Sequence, residues 1–522
     1  MPVTYIRVDH FNGGGSFRLK AFIDGLVGTD EVEVRDEAVP LIDMAGHLDG
    51  NARAVLFRNA GPESATVVGN VMGSRSRIAR AFGVPADRLA QEVLARLAGE
   101  QPVVELARDA APVQQVVLTG NEADLTRLPV HLQHALDGGP YISSGLDFVI
   151  DQKTGWTNVG SRRLMLRGRH EAGIDLLAPS DLRAIYLAAL ERGERMPISF
   201  ALGTHPVDFI AASMRLPADE LALIAALRGV PLHVVRCVTN DILVPADAEM
   251  ILEGYIDERG FVEPEGPYGE FFGYYGIMKY NPVFHLTAIT SRPDAIFQTT
   301  TISGRHIGRT ETAQIDSLRT ETLAWRAMET AVREPVAVYA PPAGTGMNNL
   351  RVALRQRVPG EARNAIAALL GSRADIKHVF VVDEDIDIFS DDQMEWALST
   401  RFQARRDMVI EDGFRAVPLD PSLDGEVTGA KAGFDLTVPF GKLGTMKWSI
   451  SEPPRLTAAR FQSIRQALES EPMAFGTLVM ALGSDDGREV VLELEELSNE
   501  GIVTRLPTGE YGLTKSTDTN DP

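Results

Sequence analysis

Two glutamates, Glu265 and Glu270, stand five residues apart in EGPYGEFFGYYG, which runs from Glu265 to Gly276. Pro267 and its flanking glycines exclude a regular helix, so the stretch reads as a bent loop followed by an aromatic run. Carboxyls in such surroundings can have separated proton affinities, one donating a proton while the other stays ionised. A second window, TGWTNVGSRRLMLRGRHEAGIDL, gathers Asn158, Arg162, Arg163 and His170. Amide oxygen, imidazole nitrogen and carboxylate are usable ligands for a divalent cation. Arginine recognises phosphate or carboxylate through paired donors. A solvated basic β-turn accounts for the same window, and the residues alone leave both readings open. Glu220, in the first turn of ADELALIAALRG, is open in the same way: a metal ligand, or an acid that complements the helix dipole.

Other candidate signals fail on their spacing. DEDID, Asp383 to Asp387, starts like a calcium loop but has Ile388 where the turn glycine belongs, so it reads as a solvated strand end. His131 and His134 lack a spaced cysteine or a second helical His–Glu motif, and are not read as zinc ligands. FNGGGSF is not a phosphate-binding loop and reads as a flexible turn. Cys237 is the only cysteine, which excludes an intrachain disulfide, and its apolar neighbours make it an inert buried thiol.

These residues need a scaffold of some size. With 522 residues the chain is long enough for several domains. Its formal charge of −21 argues against nucleic acid or an anionic membrane as the main partner, so an anionic ligand requires a local basic pocket. MPVTYIRVDHF has neither a basic nor an apolar leader region, and no run of 18 apolar residues occurs. A cytoplasmic protein is expected.

Residues 1–112 mix short strands with helices of amphipathic spacing. Residues 113–312 are dense in strand candidates: LDFVIDQ, MPISFALG, PLHVVRCV, MILEGYIDE, PVFHLTAIT and AIFQTTT. Two helices interrupt them, one capped by Ser180 or Asp181, the other ending at Gly229. A barrel-like central domain follows from that density. A linker helix over 313–335 leads to an alternating strand–helix region, 336–455, which reads as α/β. The tail, 456–522, shows three short helices and a hairpin, a winged-helix-like pattern. With 12 acidic and 5 basic residues it is read as a packing or partner module, not a DNA reader. The fold class is thus α/β (α+β) and multidomain.

NVGSRR, SMRLPADELALIAALRG, RCVTNDILVPADAEMILEG and EGPYGE, in that order, resemble the UbiD-type decarboxylases, which use prenylated FMN with a divalent metal. The resemblance covers most of residues 1–450 and implies a split-barrel-like flavin domain with a C-terminal α/β oligomerisation domain. It implies that Asn158, His170 and Glu220 hold Mn²⁺ or Mg²⁺ against the flavin phosphate, with K⁺ beside Ser213 and Met214. Ser161, Arg162, Arg163 and Lys431 complete the implied cofactor contacts. Arg163, Glu265 and Glu270 match the family's catalytic set; Arg163 stands five residues after Asn158, as that motif requires.

The chain departs from the family pattern twice. The segment between Asn158 and His170 is shorter than in ubiquinone-pathway members, and RHIGRTET follows TTISG where a Pro-Pro stretch is usual. The expected activity is reversible decarboxylation of an aromatic or heteroaromatic acid by a homodimer or higher oligomer, with a flavin prenyltransferase supplying the cofactor. Glu270 would donate the proton, with Arg163 and Glu265 orienting the substrate carboxylate. A flat ring would suit Tyr268, Phe271, Phe272, Tyr274 and Tyr275, and His306 and Arg309 would supply polar contacts to it. Two other classes remain: a non-catalytic flavin-binding subunit, or a hydrolase using the Asn–His–Glu metal directly.

Overall fold

The computed structural model describes the backbone of residues 5–8 and residues 17–451 and 453–514 in full. The turn expected at FNGGGSF falls, over residues 11–16, outside the described residues. The chain divides into two compact units, 1–441 and 442–522.

A closed barrel of six antiparallel strands lies at the centre of the larger unit. The strands are β1 (Tyr141–Ile150), β2 (Thr157–Leu166), β3 (Glu171–Ile174), β4 (Met196–Leu202), β5 (Met250–Ile256) and β6 (Val283–Ser291). Pairing runs β5-β4-β1-β2-β3-β6, and β6 returns to β5 to close the ring. Closure removes the free edges that an open sheet would expose. Leu164, Ile198, Phe200, Leu252 and Phe284 fill one apolar cluster on this barrel. The two interrupting helices form as their caps dictate. Ser180 accepts a hydrogen bond from Arg183 N at the start of α1 (Asp181–Glu191), and α2 (Glu220–Arg228) ends at Gly229 in the left-handed conformation.

Two of the six strand segments expected in the central region pair elsewhere. Leu232–Arg236, from PLHVVRCV, runs parallel to Val103–Leu106 in a separate four-stranded sheet. Phe297–Thr299, from AIFQTTT, runs parallel to Ala65–Gly69. Leu232, Val234 and Val235 are all buried, so this strand is covered on both faces, as parallel strands usually are. An apolar run shows that a strand is buried; it does not show which strand lies beside it.

Along the helix α3 (Glu311–Ala331), Ala324 and Met328 sit in the core of the following α/β region, and Leu323, Trp325 and Ala327 pack against it. That region is a five-stranded sheet in the order Pro335–Tyr339, Asn349–Leu354, His378–Asp383, Thr428–Asp435, Met408–Arg415, with helices Glu361–Leu370 and Asp391–Arg401.

The smaller unit contains helices Ile464–Ser470, Phe475–Leu482 and Arg488–Asn499, then a hairpin of Val503–Arg505 and Tyr511–Leu513. Ile464, Leu468, Leu478, Leu494 and Val503 form its core. Among the described residues, no helix is long and apolar enough to cross a membrane.

Candidate active site

Strand β2 brings the two halves of the site together. Successive side chains of a strand point to opposite faces, so Arg162 and Arg163 diverge. Arg163 meets three carboxylates. Its Nε donates to Glu265 Oε1 at 3.2 Å, Nη1 to Glu270 Oε2 at 3.2 Å, and Nη2 to Asp175 Oδ2 at 3.0 Å. Its guanidinium carbon also stands 4.4 Å from the centre of the Tyr268 ring. Glu265 and Glu270 are 0% and 4% exposed, so both charges depend on protein partners rather than water.

The loop that carries them is shaped by glycine. Gly266 adopts φ +90°, a conformation that disfavours any side chain. A Cβ at Gly276 would stand 2.7 Å from Glu270 Oε1, so only glycine leaves the carboxyl its place. Burial pushes Glu270 above the usual carboxyl range, and the pull of Arg163 and Lys279 does not cancel it. For Asp175 burial acts the same way, but Arg163 and Lys279 outweigh it and hold the group below its ordinary value. Phe272 and Tyr268 are buried beside the acids, whereas Tyr274 is 64% exposed and is not part of an apolar wall.

At the other end of β2, Asn158 Nδ2 donates to Glu220 Oε2 at 2.8 Å, and Val159 N donates to the same oxygen. Asp219, the cap of α2, accepts from Leu221 N at 3.0 Å and from Thr157 N at 3.2 Å, which fixes the helix to the strand start. Burial raises Glu220 to about 8, with Asp147 and Asp181 adding to it. Asp147 is fully buried and neither of its carboxylate oxygens has a hydrogen-bond partner. Glu220, Asp147 and the Asn158 amide are oxygen donors of the kind a divalent cation takes, and Arg162 Nε stands 3.7 Å from Asp147 Oδ1.

His170 does not join them. It lies in the turn after Leu166, while Asn158 is at the start of the same strand. Eight strand steps separate Asn158 from Leu166, roughly 26 Å at about 3.3 Å per residue. The assignment of His170 as a ligand of that metal is therefore corrected. The short connection between β2 and β3 is a tight hairpin that turns away from the metal end.

A basic cluster faces the same end. Arg215 follows Ser213 and Met214, and Arg319 first, then burial, push it below its ordinary value; Arg162 adds to the effect. Arg215 also reaches Asp375 at 3.8 Å. Lys431 is buried, donates to Leu370 O at 3.0 Å, and lines a small cleft with Asp375, Lys377 and Arg415. Guanidinium groups that depress one another mark a place where an anion such as phosphate is favoured. Ser213 Oγ donates to Ile210 O at 2.7 Å. Ser161 is exposed on β2, next to Arg162. Elsewhere, His306 faces Asp49 at 3.7 Å and Arg309 donates to Gly50 O at 2.6 Å, so both are engaged by the N-terminal region.

Three family profiles match this chain: the 3-octaprenyl-4-hydroxybenzoate carboxy-lyase N-terminal domain over 29–97, its Rift-related domain over 104–306 and its C-terminal domain over 314–436. The chain belongs to the UbiD family. A curated relative, anhydromevalonate phosphate decarboxylase of Methanosarcina mazei, is 32% identical over 410 residues, covering 78% of this chain and 92% of that protein. Among solved structures, the UbiD-class enzyme HmfF from Pelotomaculum thermopropionicum in complex with FMN has 31% identity and a TM-score of 0.78, covering 83% of this chain and 97% of its own. An evolved dimeric form of HmfF in complex with prFMN has 29% identity and a TM-score of 0.75, covering 84% and 97%. A 3,4-dihydroxybenzoic acid decarboxylase from Enterobacter cloacae has 26% identity and a TM-score of 0.76, again covering 84% and 97%. This UbiD-family protein is a carboxy-lyase, and the three catalytic-set residues meet in one ion cluster.

The sequence reading missed Asp175, Lys279, Asn281 and Arg215. Asp175 follows a four-residue strand, and Lys279 pairs in register with Glu265 on a short hairpin. No spacing rule connects them to Arg163, because the connection exists only after strands pair.

Proposed function

We propose that this chain is a reversible, non-oxidative decarboxylase of an aromatic or heteroaromatic acid, working with prenylated FMN, a divalent metal such as Mn²⁺ or Mg²⁺, and K⁺. The observation that carries the reading is Arg163, held between Glu265 and Glu270, with burial keeping Glu270 protonated toward neutral pH. Losing CO₂ from an sp² carbon leaves a carbanion that side chains cannot stabilise; prenylated FMN, when bound, supplies the electron sink. Asn158 and Glu220 would hold the metal, and Arg162, Arg215 and Lys431 would neutralise the phosphate. Arg163 orients the substrate carboxylate, Glu265 fixes Arg163, and Glu270 delivers a proton to the vacated carbon.

A second reading concerns substrate alone. The substrate in the M. mazei relative's name is a phosphate, so an unsaturated acid carrying a phosphate belongs in the same assay. A panel of phenolic, heteroaromatic and acrylic acids, with and without phosphate, separates the two. Protein made without a flavin prenyltransferase is expected to fold normally and release no CO₂ from any of them. Full activity in cofactor-free protein would overturn the proposal. A homo-oligomer in the cytoplasm is the proposed setting, as the evolved HmfF form is dimeric.

The metal end has its own test. Glu220→Gln or Asn158→Ala is expected to lower flavin and metal content in the purified protein at least tenfold, the scale seen when metal-site support is lost. His170→Ala should leave both unchanged. Unchanged content after both of the first two substitutions would remove the assignment.

A further inference from the structure

Beside Arg163 and the two glutamates lies a second ion pair. Asp175 Oδ2 stands 3.4 Å from Lys279 Nζ as well as 3.0 Å from Arg163 Nη2. Its other oxygen accepts from Leu177 N at 3.1 Å and from Asn281 Nδ2 at 3.3 Å. Asn281, fully buried, also donates to Glu265 Oε2 at 3.4 Å, so one amide joins two of the carboxylates. Lys279 Nζ lies 3.9 Å from Glu270 Oε1.

Counting charges shows what this arrangement does. Glu265, Glu270 and Asp175 bring three negative charges, and Arg163 and Lys279 bring two positive ones. One excess negative charge in a site largely closed to water is costly, and a single proton removes it. Asp175 has four donors and Glu265 has the arginine and Asn281. Glu270 has only the shared arginine and a distant lysine, so the proton resides there.

We propose that Asp175 and Lys279 are positioning residues for the decarboxylation: Asp175 locks Arg163 in place, and the pair together sets the pH at which Glu270 gives up its proton. This rests on Glu270 being the proton donor. Arg163 faces Glu270 from β2, Asp175 from just after β3, Lys279 from the short strand Lys279–Asn281, and Glu265 and Tyr268 from its own loop. Tyr268 stays protonated, because burial raises its phenol, and His134 and Asp137 stand behind that ring. Among these groups, Lys279 and Asp175 can be changed without removing the catalytic set.

The signs are opposite. Removing the lysine cation takes away a charge that favours ionised Glu270, so its titration should move up; removing the Asp175 anion should move it down. The experiment follows the Glu270 carboxyl by infrared difference spectroscopy in purified flavin-free protein, with the band assigned by its loss in Glu270→Gln. Lys279→Met is expected to raise the midpoint by about one pH unit, and Asp175→Asn to lower it by a similar amount. The double variant should return close to the unsubstituted protein, and Lys279→Arg should restore the midpoint. In cofactor-loaded enzyme the basic limb of kcat/KM should shift by the same amounts. Lys279 lies at the rim of the site, 20% exposed, so the Met and Arg variants decide the matter even where Asp175→Asn does not fold. Midpoints that stay put, or move in the same direction, would overturn the proposal. Opposite shifts in a protein that releases no CO₂ would instead sink the functional reading and the role in decarboxylation with it, leaving only the pair's control of the Glu270 proton.

Discussion

Glu270→Gln is expected to lower turnover by about 10²–10⁴-fold, the range typical of removing a general acid or base. The amide occupies the same volume in the space left by Gly276 and still accepts from Arg163, so the fold should persist. What is lost is the transferable proton. In the unsubstituted enzyme, product formed in D₂O should carry deuterium at the carbon that lost CO₂. The variant should slow that labelling to the same extent as turnover. The sign with pH follows from burial: Glu270 is raised, so its acid form persists further toward neutral pH, and the rate falls as pH rises through its folded value. Turnover within about threefold of the unsubstituted enzyme falls well short of a general-acid effect, and the assigned role would be lost.

Arg163→Met should have the largest effect on stability as well as abolishing turnover. The substitution leaves Glu265, Glu270 and Asp175 without their shared cation, and removing one partner of a buried ion pair costs about 3–5 kcal/mol. The deficit should depend on pH. Carboxyls without a counter-charge have folded proton affinities above their unfolded ones. The variant therefore gains stability as pH falls through the folded values, and its gap to the parent narrows in acid. The parent moves the other way through Asp175, whose depressed value makes its contribution vanish as pH falls. Urea unfolding at about pH 7.5 and pH 5 measures the variant's gain, and the parent's loss through Asp175 is read below the group's ordinary value of 3.8. Arg163→Lys keeps the charge but not the planar fork that reaches three carboxylates, so it should recover part of the stability and little activity. A variant within about 1 kcal/mol of the parent at pH 7.5 would show that the cluster does not depend on the arginine.

Motif spacing singled out Arg163, Glu265, Glu270, Asn158 and Glu220 because each sits in a short stretch whose composition is itself unusual, and the fold brings the first three into one ion cluster and the last two into contact. The helix caps at Ser180 and Gly229 were legible for the same local reason. His170 failed because spacing along a chain does not report which way a hairpin turns. Asp175 and Lys279 had no local signature at all: an acid after a short strand and a lysine at a hairpin start are ordinary surface residues until β2, β3 and the loop pair. The buried face of α3 was hidden likewise, since amphipathic spacing shows that a face is covered but not by what.

Strand β2 has a consequence for how this enzyme can change. It works as a ruler: Asn158 marks one end, Arg163 a fixed number of steps along, and neighbouring strands on both sides hold the scale. Inserting one residue between them would swing Arg163 to the opposite face and strand its carboxylates; inserting two would restore the facing but add roughly 7 Å to the interval. The interval between Asn158 and Arg163 is thus quantised and cannot drift by small steps. New substrates have to be admitted by rewriting loops around this fixed graduation.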